Sequence, residues 1–145
     1  MLLWAGVDFD EGPHIGGDFG PYRQSDRLSL YKDFYYDLIK RNYAYPCFYS
    51  DDRLKKLSSG ELSTEDAAIE DAIFKDFDLD TIWNKMNEEK FVVRFKIPNN
   101  QILSHQDLIK GEVKFDLTLI NDPIIIKSDG FPTYHFANVI DDHLM

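Results

Sequence analysis

The spacing of the apolar residues changes near Phe91, and this change indicates the fold class. Between Leu28 and Ile39 the apolar side chains recur every three or four positions, which is the spacing of one helix face. From Phe91 to Ile97 every second residue is Phe, Val or Ile, which is the period of a strand. The sequence therefore predicts an α/β chain, with helices in its first part and a small sheet in its second part.

Length, charge and cysteine content exclude several classes of protein. The chain has 145 residues, 43% of them hydrophobic, which is enough to bury a core. Its formal net charge of -10 excludes a general polyanion binder, so any contact with nucleic acid must come from a local polar or basic patch. Cys47 is the single cysteine, which excludes an internal disulfide. No apolar run approaches the roughly 20 residues that a membrane helix needs.

Helix signals occur at three places before Phe91. Ser25 is a candidate N-cap for a helix that ends near Arg41, and the Gly- and Pro-rich segment 8–21 before it predicts a loop. A short helix is predicted at 51–57 and a longer one at 64–89. The acidic residues of the longer helix are interpreted as a solvated face.

Strand signals occur at four places. Residues 43–49 are aromatic and contain Pro46, which predicts an edge strand because proline cannot donate to the ladder. Alternation predicts strands at 91–97 and 113–117, and the three isoleucines at 124–126 predict a short buried strand. The turn residues between these strands predict hairpin-like connections and a small antiparallel or mixed sheet.

The last predicted helix carries a candidate binding face. Pro132 suits its first position, because the fixed φ of proline matches the helix. Tyr134 and Asn138 are four residues apart and share a face, and Asp141 lies one turn further along the same side. A hydroxyl and an amide on one face can orient a small polar ligand. The alternative interpretation is that both groups only hydrogen-bond to neighbouring backbone.

Other candidate sites have less support. His143 adjoins Asp141 and Asp142, but adjacent residues of a helix do not share a face, and a structural zinc site needs four converging ligands. Cys47 has no identifiable base and orienting group for nucleophilic catalysis. The residues therefore predict no metal site and no catalytic side chain.

Three strings of residues carry a family resemblance. They are Trp4-Ala-Gly-Val-Asp-Phe-Asp-Glu-Gly-Pro13 with Gly16-Gly-Asp-Phe-Gly-Pro-Tyr-Arg-Gln-Ser-Asp-Arg27, then Val92-Val-Arg-Phe-Lys-Ile-Pro98, then Lys127-Ser-Asp-Gly-Phe-Pro-Thr-Tyr-His-Phe-Ala-Asn-Val-Ile-Asp-Asp-His-Leu-Met145. In order and rough spacing they resemble glutamyl-tRNA synthetases of the bacterial and organellar type.

The resemblance implies a division of the chain. The family belongs to class I, whose Rossmann-like α/β catalytic domain is interrupted by an α+β insertion that binds the acceptor stem of tRNA. Residues 1–43 would then be the end of the first Rossmann half, and residues 44–133 most of the insertion. Residues 134–145 would begin the return to the catalytic half.

The resemblance also implies an activity, the ATP-dependent attachment of L-glutamate to tRNA(Glu) during translation. ATP and Mg²⁺ would be substrates of the parent enzyme. Tyr134 and Asn138 match positions at the glutamate and adenylate pocket, and Lys127 and Ser128 match positions that face the tRNA acceptor end. Catalysis would depend on positioning and on stabilisation of phosphate charge. The implied enzyme is a monomer without membrane association, in the cytoplasm or alternatively in a mitochondrion or plastid.

The chain also departs from the family pattern. The His-x-Gly-His-type and Lys-Met-Ser-Lys-Arg-type signatures and two substrate-binding arginines of the family do not occur in it. The sequence also begins inside an apolar segment and ends without a helix stop signal, so we expect an internal fragment that is inactive alone. Cys47 and Tyr49 stand where many members have a Cys-x-Cys zinc pair, so no zinc is expected. The acidic segment 58–90 replaces a basic one, which weakens its expected contacts with RNA.

Two alternatives stay open at the level of sequence. The parent could be a related glutamyl transferase or a glutaminyl-tRNA synthetase, and an anticodon-binding domain would mark the full synthetase. The chain could also be a non-catalytic module that only binds the tRNA acceptor.

Overall fold

The computed structural model describes residues 4, 6, 10–48, 59–60, 74–98 and 101–145. Within these residues there are three α-helices and five strands: α1 (Leu28–Lys40), β1 (Ala44–Phe48), α2 (Leu79–Glu88), β2 (Phe91–Phe95), β3 (Ile102–Asp107), β4 (Gly111–Asp116), β5 (Ile124–Ile126) and α3 (Tyr134–Leu144). In the described part of the chain no helix has the length and apolar content to cross a membrane. The predicted α/β class is confirmed.

Three strands form an antiparallel sheet in the order β1-β2-β5. Ala44 pairs with Phe95 at one end of the β1–β2 ladder, and Phe48 pairs with Phe91 at the other. The predicted edge position of the strand around Pro46 is confirmed, because β1 has a neighbour on one side only. A proline there removes no ladder hydrogen bond that the sheet needs.

The strands β3 and β4 form a second, two-stranded sheet, paired from Ile102 opposite Asp116 to Asp107 opposite Gly111. The prediction of one small sheet in the second part of the chain is therefore wrong, and β3 was not predicted. Residues 102–107 lack an alternating apolar pattern, and a strand with neither face buried does not require one. The Asp107 carboxylate accepts hydrogen bonds from two backbone N–H groups of the turn, at 2.8 Å each.

The main core lies between the three-stranded sheet and the helices α1 and α2. The predicted apolar stripe of α1 is confirmed, since Tyr31, Tyr35 and Ile39 are buried. The core cluster joins α1, α2 and the three strands of the sheet, and its buried members are Tyr35, Ile39, Ala44, Phe48, Ile82, Met86, Val93, Ile125 and Ile126. Val92 packs on the other face with Tyr45 and Cys47. Because β2 is covered on both faces, its two valines are both buried.

The start of α1 differs from the prediction, whereas its end agrees. Ser25 is not a helix N-cap, because it lies inside a short 3-10 turn, Gln24–Arg27, and its hydroxyl donates to the Asp26 carboxylate at 3.1 Å. The helix ends at Lys40, close to the predicted position. Asn42 follows with φ of +61°, the left-handed conformation that often terminates helices.

The predicted helix over 64–89 is confirmed for residues 79–88, which form α2, and is wrong for the described residues before them. Residues 74–76 form a 3-10 turn, and α2 begins only after Asp78, whose carboxylate accepts from the backbone N–H of Thr81 at 2.9 Å and from its hydroxyl at 2.6 Å. An aspartate that caps in this way starts a new helix instead of continuing one. The predicted helix at 51–57 and residues 64–73 lie outside the described residues.

Candidate functional site

Lys127 and Ser128 lie in a tight turn directly after β5. The backbone N–H of Lys127 donates to the carbonyl of Phe131, and the N–H of Gly130 donates back to the carbonyl of Lys127, both at 2.9 Å. Gly130 has φ of +81°, which suits glycine at this position of a short hairpin. The backbone therefore closes the turn and leaves both Lys127 and Ser128 exposed.

The charge of Lys127 is partly neutralised inside the same turn. Its Nζ lies 3.1 Å from Oδ2 of Asp129, and the other oxygen of Asp129 accepts from the N–H of Phe131 at 3.0 Å. The backbone hydrogen bond first, and then the lysine, hold the pKa of Asp129 below its ordinary value. At neutral pH the turn thus presents one hydroxyl and one paired cation, a small polar surface and not a strongly basic one.

The segment after the turn fixes the start of α3 against the sheet. Thr133 is the N-cap, and both its N–H and its hydroxyl donate to the carbonyl of Ile125, at 2.8 and 3.3 Å. Pro132 stands before the cap, bridged to Ile126, so the prediction that it occupies the first helical position is wrong. Because Thr133 holds the strand, its side chain does not cap the helix.

Tyr134 and Asn138 are both exposed on α3, and Tyr134 keeps 74% of its surface accessible. Neither side chain points into the core. The Asn138 amide donates to the carboxylate of Asp142 at 3.2 Å, and within the described residues the Tyr134 hydroxyl has no hydrogen-bond partner. Two polar groups on the open side of one helix are free to meet a ligand.

Asp141, one turn further along α3, is held by two buried residues: Arg27, directly before α1, and Tyr31, in the first turn of α1. Nε of Arg27 donates to Oδ1 of Asp141 at 2.8 Å, and the hydroxyl of Tyr31 donates to both carboxylate oxygens at 2.8 and 3.0 Å. Burial raises the pKa of Tyr31, and the bond to Asp141 raises it further. The phenol therefore stays protonated and donates. We call Arg27, Tyr31 and Asp141 the anchor cluster.

Arg27 also binds the loop that precedes α1. Its Nη1 donates a hydrogen bond to the carbonyl of Pro21 at 2.9 Å and a longer one to the carbonyl of Phe19 at 3.4 Å. The hydroxyl of Tyr22, the residue after Pro21, donates to the carboxylate of Glu11 near the start of the loop. One arginine thus connects the Gly-rich loop, α1 and α3.

An apolar cleft of about 440 Å³ opens beside α3. Phe34, Leu38, Phe95 and Phe136 are among its lining residues, and Val139 on its rim is 69% exposed. An apolar lining suits another apolar surface and does not suit a charged amino acid. We therefore do not assign substrate binding to this cleft.

The side chains of the described ranges do not form a metal site. No three His, Cys, Asp or Glu side chains converge there as a metal ion requires. Cys47 is fully buried in β1, and His143 is exposed near the end of α3.

Sequence reasoning missed the anchor cluster as a unit. It placed Tyr31 in the apolar stripe and Asp141 on the face of Tyr134, but it did not single out Arg27. The four-residue spacing of Arg27 and Tyr31 does put them on one side of a continuous helical segment, which was the available signal. Their partner lies 114 positions away from Arg27, and no local pattern reports such a contact.

The family model described as tRNA synthetases class I (E and Q), catalytic domain, matches residues 1–145. The chain therefore belongs to the family of glutamyl- and glutaminyl-tRNA synthetases, and the resemblance carried by the three strings is confirmed.

Several bacterial relatives are similar to almost the whole chain. Glutamate–tRNA ligases of Chlorobium phaeobacteroides, Dehalococcoides mccartyi (strain CBDB1) and Bacillus subtilis are 41%, 43% and 34% identical to it, each over 99% of its length. The chain spans only 28–30% of the length of these relatives.

Solved structures show the same relation. A glutamate tRNA ligase from Elizabethkingia meningosepticum, in complex with its amino acid, is 32% identical with a TM-score of 0.77, over 99% of this chain and 30% of that one. The glutamate-tRNA synthetase of Elizabethkingia anophelis is 32% identical with a TM-score of 0.76, over 99% and 31%. At this identity the likeness covers both fold and family.

Proposed function

We propose that this chain is part of an enzyme that uses ATP to attach L-glutamate to tRNA. One observation carries the proposal: relatives named glutamate–tRNA ligase match 99% of the chain at about 40% identity. Since the chain spans less than a third of those relatives, the activity belongs to the whole enzyme. Its three substrates are glutamate, ATP and tRNA(Glu), and it works as a cytoplasmic monomer.

Tyr134 and Asn138 form part of the wall of the glutamate and adenylate pocket in this proposal. Their exposure on one face of α3 supports this role, because a phenol O–H and an amide N–H are suitable donors to an anionic amino acid. The Asn138 amide uses one N–H on Asp142 and keeps its oxygen and second N–H for the substrate. Both residues bind and orient, and neither is a nucleophile.

The reaction then needs no covalent enzyme intermediate. The glutamate carboxylate attacks the α-phosphorus of ATP and releases pyrophosphate, and a terminal ribose hydroxyl of tRNA attacks the glutamyl adenylate and releases AMP. The residues of this chain contribute by fixing the amino acid in line with its reaction partners. Mg²⁺ would enter the reaction together with ATP, where it would neutralise phosphate charge.

Lys127 and Ser128 face the acceptor end of tRNA in the proposed enzyme. Their exposure at a turn adjacent to the Tyr134 face supports this role, since the ribose must reach the adenylate. Residues 44–133 would contact the acceptor stem as an insertion between residues 1–43 and 134–145. The partial neutralisation of Lys127 by Asp129 favours a positioning contact over strong electrostatic attraction.

Replacing Asn138 with Ala tests the proposed pocket. In the full-length enzyme, Asn138→Ala should raise the KM for glutamate about tenfold, because one or two hydrogen bonds to a charged substrate are lost. The KM for ATP should change little. Steady-state charging of tRNA with labelled glutamate measures both values.

The matched control is Asn87→Ala, which removes an exposed asparagine from α2 and should leave both KM values unchanged. An unchanged glutamate KM in Asn138→Ala would remove Asn138 from the pocket. Charging with glutamine in preference to glutamate would overturn the proposed activity itself.

A further inference from the structure

We propose that Arg27 and Tyr31 are positioning residues for the amino-acid pocket, acting through Asp141 on the face of α3 that carries Tyr134 and Asn138. This inference rests on the proposed function, because it assigns a task to residues that do not reach that face themselves.

The spacing along α3 connects the anchor to the face. At about 100° per residue, positions 134, 138 and 141 lie within about 60° of one another around the helix axis. Asp141 therefore belongs to the same side of the helix as Tyr134 and Asn138. Any rotation of α3 that moves the exposed face must also pull Asp141 out of its hydrogen bonds with Arg27 and Tyr31.

Apolar packing holds α3 on one side only. Ala137 and Ile140 are buried against Tyr31, with Phe136 packed beside them, whereas Val139 is 69% exposed beside the apolar cleft. A helix with apolar contacts on one side can turn more easily than one packed on all sides. The directional bonds to Asp141 supply the missing restriction on rotation.

The contacts of the anchor cluster are not those that would stabilise the fold most. Arg27 is only 3% exposed, and its Nη2 is buried without a hydrogen-bond partner in the described residues. A buried ion pair is usually no more stabilising than apolar side chains of similar volume, and an unused buried donor makes it less so. The cluster gives orientation instead, because hydrogen bonds are directional and apolar contacts are not.

A double-mutant cycle between Tyr31 and Asn138 tests the inference in the full-length enzyme. Tyr31→Phe removes only the hydroxyl that holds Asp141, and it should raise the KM for glutamate about fivefold with little change in the KM for ATP. Combined with Asn138→Ala, it should add less than the full effect it has alone, because Tyr134 is then the remaining group of this face for the anchor to position.

Tyr45→Phe is the matched control for the loss of a buried phenol. The Tyr45 hydroxyl also donates to a carboxylate, that of Asp122 at 2.8 Å, but it lies in β1 and away from α3. The Tyr45→Phe variant should lower the thermal midpoint of unfolding at least as much as Tyr31→Phe does, while the KM for glutamate stays unchanged. Asp141→Asn, which keeps the shape of the side chain, should reproduce the Tyr31→Phe effect from the other side of the contact.

The outcomes separate this inference from the proposed function. If Tyr31→Phe and Asn138→Ala raise the glutamate KM by factors that multiply, Tyr31 does not act through the Asn138 face and the inference is wrong. The same holds if Tyr31→Phe leaves the KM unchanged while Asn138→Ala raises it. If Asn138→Ala alone has no effect, the pocket assignment fails, and the positioning role fails with it.

Discussion

Replacing Asp122 with Ala should destabilise the purified chain by about 3–4 kcal/mol, the largest effect we expect from a single side chain. The Asp122 carboxylate accepts from the hydroxyl of Tyr45 at 2.8 Å and from the backbone N–H of Ile97 at 2.9 Å, and it forms an ion pair with Nζ of Lys75. Only 11% of its side chain is exposed. Its loss leaves a phenol, an amide and an ammonium group unpaired at once.

The position of Asp122 explains why the expected effect is global. Tyr45 belongs to the edge strand β1, Ile97 follows the central strand β2, and Lys75 lies in the 3-10 turn before α2. The backbone carbonyl of Asp122 also accepts a hydrogen bond from Nη1 of Arg94 at 2.8 Å. One residue in the loop before β5 thus joins three separate parts of the fold.

Urea unfolding of the 145-residue chain, followed by circular dichroism, measures this loss. The control is Asp129→Ala, which also removes a carboxylate that binds a lysine and a backbone N–H, but in an exposed turn. Surface ion pairs contribute little, so this variant should lose far less stability. Equal losses in the two variants would contradict the role given to Asp122.

The same carboxyl should give the stability a defined pH dependence. Burial by itself raises the pKa of Asp122, but hydrogen bonds from Lys75, Ile97 and Tyr45 outweigh burial and hold the pKa below its ordinary value. Its stabilisation is therefore complete above the unfolded pKa of about 4 and is lost as the pH falls through the lower folded value. The stability difference between the unaltered chain and Asp122→Asn should shrink below about pH 4. A difference constant from about pH 3 to 7 would contradict this sign.

Replacing Ile126 with Ala should cost about 2–4 kcal/mol of unfolding free energy, the second large effect. Ile126 is 1% exposed, belongs to the core cluster and pairs with Val93 of the central strand β2. The smaller side chain leaves a cavity that the packed side chains of the core cluster cannot fill. Chemical unfolding at constant pH measures the change.

Ile124→Ala is the matched control in the same strand. Ile124 is 36% exposed and has the same side chain, so the same truncation should cost less than about 1 kcal/mol. If Ile124→Ala were as costly as Ile126→Ala, the loss would come from strand propensity and not from core packing. The ratio of the two effects therefore tests the burial pattern of β5.

Local patterns in the sequence predicted those elements whose apolar residues recur at a regular spacing. The stripe through Tyr31, Tyr35 and Ile39 followed from helical spacing, because α1 packs one face on the sheet. The strand β3 could not be found in this way, because its residues do not alternate, whereas those of its hairpin partner β4 do. The long helix predicted across Asp78 failed for another reason, since apolar spacing continues through a position where a side-chain cap restarts the helix.

The candidate site also has features that local spacing predicts and features that it does not. The four-residue spacing of Tyr134 and Asn138 was enough to place both on one face, whereas their role as pocket residues came from the family resemblance and stays a prediction. The anchor cluster and the contacts of Asp122 join residues far apart in the chain, and only the folded structure brings them together. Contacts of this kind are fixed by tertiary packing, which leaves no periodic trace in the sequence.

The bond between Arg27 and Asp141 has a consequence for the evolution of this enzyme family. The Arg27 side chain is buried there and the Asp141 side chain is three-quarters buried, so leaving the arginine without its partner would be more damaging than losing the two together. Substitutions at these two sites should therefore appear as pairs among homologues. Positions 19 and 21 of the loop are under no such restriction. Arg27 donates there to backbone carbonyls, which any amino acid would supply.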